Sequence, residues 1–170
     1  MVQWQKAIDL YNQVISHYPQ SDQAEYAQIS LGHSYKAQKN FLQASEAYDI
    51  IRQKGTERYR IEIVVEAELH LAKTQAILGR HYDSGVTYLR VRHLREQHDS
   101  LTAFHAAVRA SDAFIKANDI YMAKDTCEDA LNLFEAKVTN ADARKIEEWN
   151  QLHDYAQNQY KQILSRIEQQ

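Results

Sequence analysis

A short pattern around Gly32 constrains the fold of this chain more than any other feature of its sequence. The pattern consists of small and aromatic residues at helical spacing: Leu31-Gly32, Tyr35, Phe41, Ala44 and Tyr48. Gly32 and Ala44 lack bulky side chains, so two helices can approach closely at these positions. The aromatic rings of Tyr35 and Tyr48 then fill the space on either side of the crossing. The pattern therefore predicts a helical hairpin with its closest contact near Gly32.

Composition favours helix along the rest of the chain as well. One proline and four glycines in 170 residues are too few to punctuate many strands or long loops, and strong helix formers are abundant. A chain of this length buries a sizeable core. We therefore expect an all-α fold, with helices at about 2–18, 22–38, 41–54, 58–79, 82–98, 100–117, 120–137 and 141–168.

Polar and glycine residues mark the predicted helix ends. Four residues are candidates for N-caps because their side chains accept hydrogen bonds from a helix start: Ser21, Asp22, Asp99 and Ser100. Three dipeptides are expected at the turns inside hairpins, where Gly and Asn tolerate left-handed geometry: Lys39-Asn40, Gly79-Arg80 and Asn118-Asp119. The segment Gly55-Thr56-Glu57 is expected to end the second hairpin.

The hairpin pattern recurs along the chain. A small residue marks each predicted second helix, at intervals of 37–40 residues: Ala7, Ala44, Ser84 and Ala123. The first helices have Leu31-Gly32, Leu71-Ala72 and Ala110-Ser111 at the close-contact position. We therefore predict a single domain, 1–170, with a half repeat at 1–19 and repeats at about 22–55, 58–98 and 100–137. A final helix at 141–168 follows the repeats.

Both ends of the chain depart from the repeat. The segment around Trp4 matches the pattern of a second helix, but no first helix precedes it. A second helix alone would leave its apolar face exposed, because a repeat buries that face only against its neighbours. We therefore expect the chain to be a fragment of a longer protein. At the other end, one apolar stripe runs along the final helix: Ile146, Trp149, Leu152, Ala156, Tyr160, Ile163 and Ile167. This helix either caps the last repeat or docks a partner or a second copy.

These residues resemble the tetratricopeptide repeat (TPR) family, whose signature runs W-x-x-L-G-x-x-Y, then A-x-x-x-F, then P. The intervals of 37–40 residues exceed the common TPR length of about 34. The segment Tyr18-Pro19-Gln20-Ser21 is similar to the Tyr-Pro-x-Ser repeats common in bacterial proteins. The resemblance therefore points to a long-repeat, bacterial-type subgroup. It implies a right-handed α-solenoid of TPR-like helical hairpins with a long C-terminal capping helix.

The resemblance also implies a function. TPR arrays are interaction modules or scaffolds, and we expect this chain to bind a peptide or a partner helix in a concave groove lined by first helices. Helical phase places nine candidate partner-binding residues on that face: Tyr26, Ile29, His33, Glu66, His70, Lys73, His105, Arg109 and Asp112. Ile29 and His33 stand where chaperone-binding members have the first Lys and Asn of a carboxylate clamp, which argues against that ligand class.

Three alternatives remain open. The chain could be a peptide-sensing or ligand-sensing regulatory domain, or a cell-envelope assembly or accessory protein. It could also associate with itself through exposed terminal helices.

Catalysis and metal binding are not expected from the sequence. It contains no phosphate loop, dinucleotide glycine pattern or nucleophile elbow. His93 and His98 are five residues apart and diverge by about 140° around a helix. Glu66 and His70 can meet, but two ligands make no catalytic zinc site. Cys127 occupies a packing position and is expected to be a buried hydrophobe. We therefore expect no enzyme activity, no cofactor and no metal.

Charge and hydropathy narrow the partners further. The net charge of −3 and the pI near 6.2 argue against non-specific nucleic-acid binding. No apolar run reaches the roughly 18 residues that span a bilayer, so no membrane span is expected. The single cysteine excludes an intramolecular disulfide. Localisation stays open between cytoplasm and periplasm.

Overall fold

The computed structural model of the protein describes residues 2–137 and 146–169. In these residues the backbone forms eight helices and no strand, which confirms the prediction of an all-α fold. The helices are α1 (Val2–His17), α2 (Asp22–Ala37), α3 (Phe41–Arg58), α4 (Ile61–Ile77), α5 (His81–Arg95), α6 (Ser100–Lys116), α7 (Ile120–Lys137) and α8 (Ile146–Glu168). None of them is both long enough and apolar enough to cross a membrane. Residues 141–145 of the predicted final helix lie outside the described ranges.

The boundary between α3 and α4 differs from the prediction. Gly55 does break the helix, since its φ of 55° and ψ of −154° are not helical. The chain nevertheless coils further beyond this kink, so α3 ends at Arg58 instead of at residue 54. Arg60 is extended, with ψ of 146°, and α4 therefore begins at Ile61 instead of at residue 58. Tyr59 lies between the two helices and is only 6% exposed. Its packing in the core holds the segment that connects α3 to α4.

Most predicted caps and turns agree with the structure. Ser21 and Asp99 each accept a hydrogen bond from a backbone N–H of the following helix, both at 3.2 Å. Gly79 and Asn118 adopt positive φ angles of 76° and 61°, as expected at these turns. In the turn between α2 and α3 the left-handed residue is Lys39, with φ of 61°, instead of the asparagine beside it.

The chain forms two compact units, of which the first is Met1–Arg80. In this unit consecutive helices from α1 to α4 pack against each other, and α2 also contacts α4. A β-carbon at Gly32 would overlap the ring of Tyr48, whose side chain is fully buried. The predicted close crossing of α2 and α3 is thereby confirmed. Next to Gly32, Leu31 forms an apolar cluster with Ile8 of α1 and Ala47 of α3.

A buried carboxylate ties the α3–α4 connection to the start of α2. The side chain of Glu25 is 7% exposed and lies 3.5 Å from Nη1 of Arg58 and 3.1 Å from Nε of Arg60. Arg58 also donates a hydrogen bond to the carbonyl of Pro19. The guanidinium of Arg60 lies 4.9 Å from the centre of the Tyr26 ring. These contacts hold α2 in position relative to α4.

The second unit is His81–Gln170. Here too consecutive helices pack, from α5 to α8, and α6 also contacts α8. Gly85 of α5 repeats the arrangement seen at Gly32, because a β-carbon there would approach the Phe114 ring to 2.8 Å. Trp149 of α8 stacks on Phe104 of α6, with ring centroids 5.3 Å apart. Within this unit, α8 therefore covers α6 and α7 with its apolar stripe.

The two units divide the predicted repeat at 58–98, which contributes α4 to the first and α5 to the second. Its internal pairing stays a prediction.

Candidate functional site

The predicted partner-binding residues lie on α2 and α4 of the first unit and on α6 of the second. The first unit contains Tyr26, Ile29, His33, Glu66, His70 and Lys73, and the second contains His105, Arg109 and Asp112. We call the exposed or partly exposed members of the first set, without Ile29, the α2–α4 face.

Ile29 does not belong to an open surface. Its side chain is 4% exposed and lies in the core. The helix α2 contacts α1, α3 and α4, so its buried surface is wider than the single stripe that helical phase predicts. The structure therefore places Ile29 in the core instead of on the open face that helical phase predicts, and its contact with a partner stays a prediction. Tyr26, by contrast, is 52% exposed.

Three side chains of the α2–α4 face converge into a His–Glu–His cluster, consisting of His33, Glu66 and His70. One potential ligand atom from each lies within 4.8 Å of the other two. The Nε2 atom of His33 is 3.6 Å from Oε1 of Glu66. The rings of His33 and His70 meet edge to face, with centroids 4.6 Å apart. Glu66 and His70 lie one turn apart on α4, whereas His33 comes from α2.

Tyr48 and Lys36 form the surroundings of the His–Glu–His cluster. The Tyr48 ring stacks on His70 at 5.5 Å and meets His33 edge to face at 5.7 Å. Its hydroxyl is buried and has no hydrogen-bond partner among the described residues. The ammonium of Lys36 lies 3.3 Å from Nδ1 of His70 and donates to it. The cluster therefore has an aromatic floor on one side and a cation at its edge.

Burial favours the neutral form of both imidazoles, because it lowers the pKa of each. Burial is the main cause that lowers the pKa of His33, and Lys36 adds to it against the opposing effect of Glu66. Burial also lowers the pKa of His70 to about 4, with further contributions from His33, Lys36 and Lys73. A neutral imidazole is the form that donates a lone pair to a metal ion.

Within the described ranges, the His–Glu–His cluster is the set of side chains that could hold a metal ion. Sequence reasoning paired Glu66 with His70 and found no third ligand, because spacing within one helix reveals nothing about α2. One signal was available. His33 and His70 occupy matching positions in consecutive predicted repeats, so their rings were expected on one face. The sequence did not reveal that α2 and α4 lie close enough for the rings of His33 and His70 to touch.

Comparison of the chain with models of known protein families finds no match, and a search of curated proteins finds none either. The resemblance to TPR therefore rests on the sequence pattern around Gly32 and its repeats, and it stays a prediction.

Two of the three predicted residues of α6, His105 and Asp112, contact side chains of α8. Nε2 of His105 lies 2.9 Å from Oε1 of Glu148. Asp112 accepts a hydrogen bond of 2.7 Å from the Tyr155 hydroxyl and another from the Gln159 amide. Burial and the Asp112 carboxylate raise the pKa of Tyr155 to about 12. The part-buried hydrogen bond between Gln159 and Asp112 therefore stabilises the docking of α8.

Arg109 is the more open of the α6 candidates. Its side chain is 67% exposed, and its guanidinium lies 3.9 Å from Asp112. An ion pair this exposed contributes little to stability, so Arg109 is available to a partner.

Cys127 is fully buried, which confirms the prediction of a small packed side chain. Its thiol donates a hydrogen bond to the carbonyl of Ala156 at 3.2 Å. Burial raises the pKa of this thiol to about 11. Because the thiolate is the nucleophilic form, Cys127 is unsuited to covalent chemistry at neutral pH.

Proposed function

We propose that this chain is a TPR-like interaction module, a right-handed α-solenoid that binds a peptide or a partner helix on the α2–α4 face. The observation that supports it best is the meeting of two predicted first helices. His33 of α2 and Glu66 of α4 approach to 3.6 Å, although the two residues are far apart in sequence. Helical phase assigned both to one face. A shared face between first helices is where a TPR-like array would present its binding surface.

The chemistry of the α2–α4 face suits a protein ligand. Tyr26 supplies an exposed aromatic ring, and Lys73 supplies an exposed cation. Aromatic side chains are enriched among the residues that dominate protein–protein affinity. The partly exposed carboxylate of Glu66 adds the opposite charge. An extended peptide or an amphipathic helix can place apolar and charged anchors against such a surface.

The test uses peptides selected from a displayed random library against the full chain. We expect them to lose affinity by about tenfold or more when Tyr26→Ala and Lys73→Glu are combined, because both anchors are removed. The matched control combines Tyr121→Ala and Lys54→Glu, which change an exposed tyrosine of α7 and an exposed lysine of α3. Titration by fluorescence anisotropy measures both affinities. A selection without enrichment, or equal affinity for the two double variants, would contradict the proposal.

A further inference from the structure

We propose that the His–Glu–His cluster of His33, Glu66 and His70 is a binding site for a divalent transition-metal ion of the zinc type. Two imidazoles and one carboxylate form a donor set that zinc accepts, and three protein ligands leave a fourth position for water. The cluster is part of the α2–α4 face, but its ability to hold a metal ion does not require a peptide to bind there.

The separations in the cluster fit one ion. Ligands of a tetrahedral zinc at about 2.0–2.2 Å from the metal lie roughly 3.4 Å from each other. Nε2 of His33 and Oε1 of Glu66 are 3.6 Å apart, close to this value. The full set lies within 4.8 Å, so small side-chain rotations bring the remaining ligand into range. The side chains of His33 and Glu66 are 40% and 45% exposed, which leaves them free to make these rotations.

Two polar atoms at the cluster have no hydrogen-bond partner among the described residues. Nε2 of His33 is buried and has no hydrogen-bond partner in the described part of the chain, and Glu66 lies beyond hydrogen-bond reach. The hydroxyl of the fully buried Tyr48 is the second of these atoms. Burial and the Glu66 charge both raise the pKa of this hydroxyl. Buried polar atoms without a partner are rare in native proteins and often indicate an unseen ligand. A metal ion would accept the lone pair of His33.

One neighbouring charge opposes the ion. The Lys36 ammonium lies 3.3 Å from Nδ1 of His70, where it competes with a metal for the imidazole and repels its positive charge. Removal of this ammonium is therefore expected to strengthen metal binding. A purely structural role of Lys36 would not produce this change.

The experiment titrates Zn²⁺ into the full chain by calorimetry in the presence of a competing chelator. We expect one ion per chain and an increase in the thermal unfolding temperature. The variants His33→Ala, Glu66→Gln and His70→Ala should each weaken binding by about tenfold or more, since each removes a direct ligand and loss of an outer-shell partner alone costs 10- to 100-fold. Lys36→Gln should tighten binding several-fold.

The matched control is His105→Ala. His105 is also a partly exposed histidine beside a glutamate, but no third donor joins that pair in the part of the chain that the structure describes. Its removal should therefore leave zinc affinity unchanged. Glu66→Gln preserves the size of a partly exposed side chain, so it tests the site even if an imidazole variant fails to fold. Absence of stoichiometric binding would overturn the proposal. So would equal losses in His105→Ala and the cluster variants, or weaker binding in Lys36→Gln.

Discussion

The ring of Tyr48 lies against Gly32 and occupies the space that the β-carbon of any other residue at this position would need. The fully buried ring therefore sets how closely α2 and α3 approach. Gly85 and Phe114 use the same arrangement in the second unit, with the glycine on α5 and the ring on α6. The repeat pattern places Gly32 at a close contact between two helices. In α5 it assigns the small-residue position to Ser84 and does not identify Gly85 beside it. Gly85 lies on a predicted second helix and faces the first helix of the next repeat, whereas the hairpin pattern describes only the pairing inside one repeat.

Gly32→Ala is expected to lower the free energy of unfolding by about 1–3 kcal/mol, the usual cost of overpacking a core. Alanine's higher helix propensity offsets up to about 1 kcal/mol of this loss. Urea denaturation measures the change. In a Tyr48→Val background all three of the nearest ring carbons are gone, and Gly32→Ala should then be neutral or stabilising. Equal destabilisation in both backgrounds would show that the ring is not the cause.

Helices were the most predictable part of the fold because their signals are local. Apolar periodicity, caps such as Ser21 and Asp99, and left-handed turns such as Gly79 act within a few residues. The α3–α4 boundary was less predictable, since the burial of Tyr59 and the pairing of Arg58 with Glu25 depend on contacts over long sequence distances.

The His–Glu–His cluster was missed for the same reason. Sequence spacing reveals which residues share one helix face, as with Glu66 and His70. It does not reveal that a side chain from α2 completes the group. The burial of Ile29 was missed as well, because the number of helices around α2 is a property of the packed unit.

Asp112 joins α6 to α8, and its removal should loosen that contact. Asp112→Ala leaves the amide of the buried Gln159 without its acceptor, which we expect to cost about 1–3 kcal/mol of unfolding free energy. Asp112→Asn keeps an acceptor oxygen and should cost less. Urea denaturation gives the free energies, and hydrogen exchange of residues 146–168 reports on α8 itself.

The control for this prediction is Asp125→Ala, which removes a carboxylate that is 74% exposed on α7. It should change stability by no more than about 0.5 kcal/mol. A loss from Asp125→Ala as large as that from Asp112→Ala would contradict a specific role for the Asp112 hydrogen bonds.

At the scale of the whole molecule, each of the two units packs mainly helices that are neighbours in the chain. Consecutive helices contact one another, and the added contacts in each unit join helices two apart. The stability of a repeat protein with such packing is approximately the sum of interactions between neighbouring elements. A local defect therefore affects nearby helices most.

Two glycine variants test this locality. Gly32→Ala should lower amide protection mainly in residues 2–80, and Gly85→Ala mainly in residues 81–137 and 146–169, because each adds a β-carbon inside its own unit. Native-state hydrogen exchange with mass spectrometry measures both patterns, and each variant serves as the control for the other. Uniform loss of protection along the chain in both variants would indicate one cooperative unit instead.

The local packing of α1 to α4 has a consequence during synthesis on the ribosome. All helices of the first unit have emerged while much of the second unit, His81–Gln170, is still being translated. At about 5–20 residues per second, translation of that remainder takes several seconds, whereas helical domains fold in microseconds to milliseconds. The nascent chain therefore has time to bring α2 against α4, and the His–Glu–His cluster would assemble before the C-terminal helices leave the ribosome.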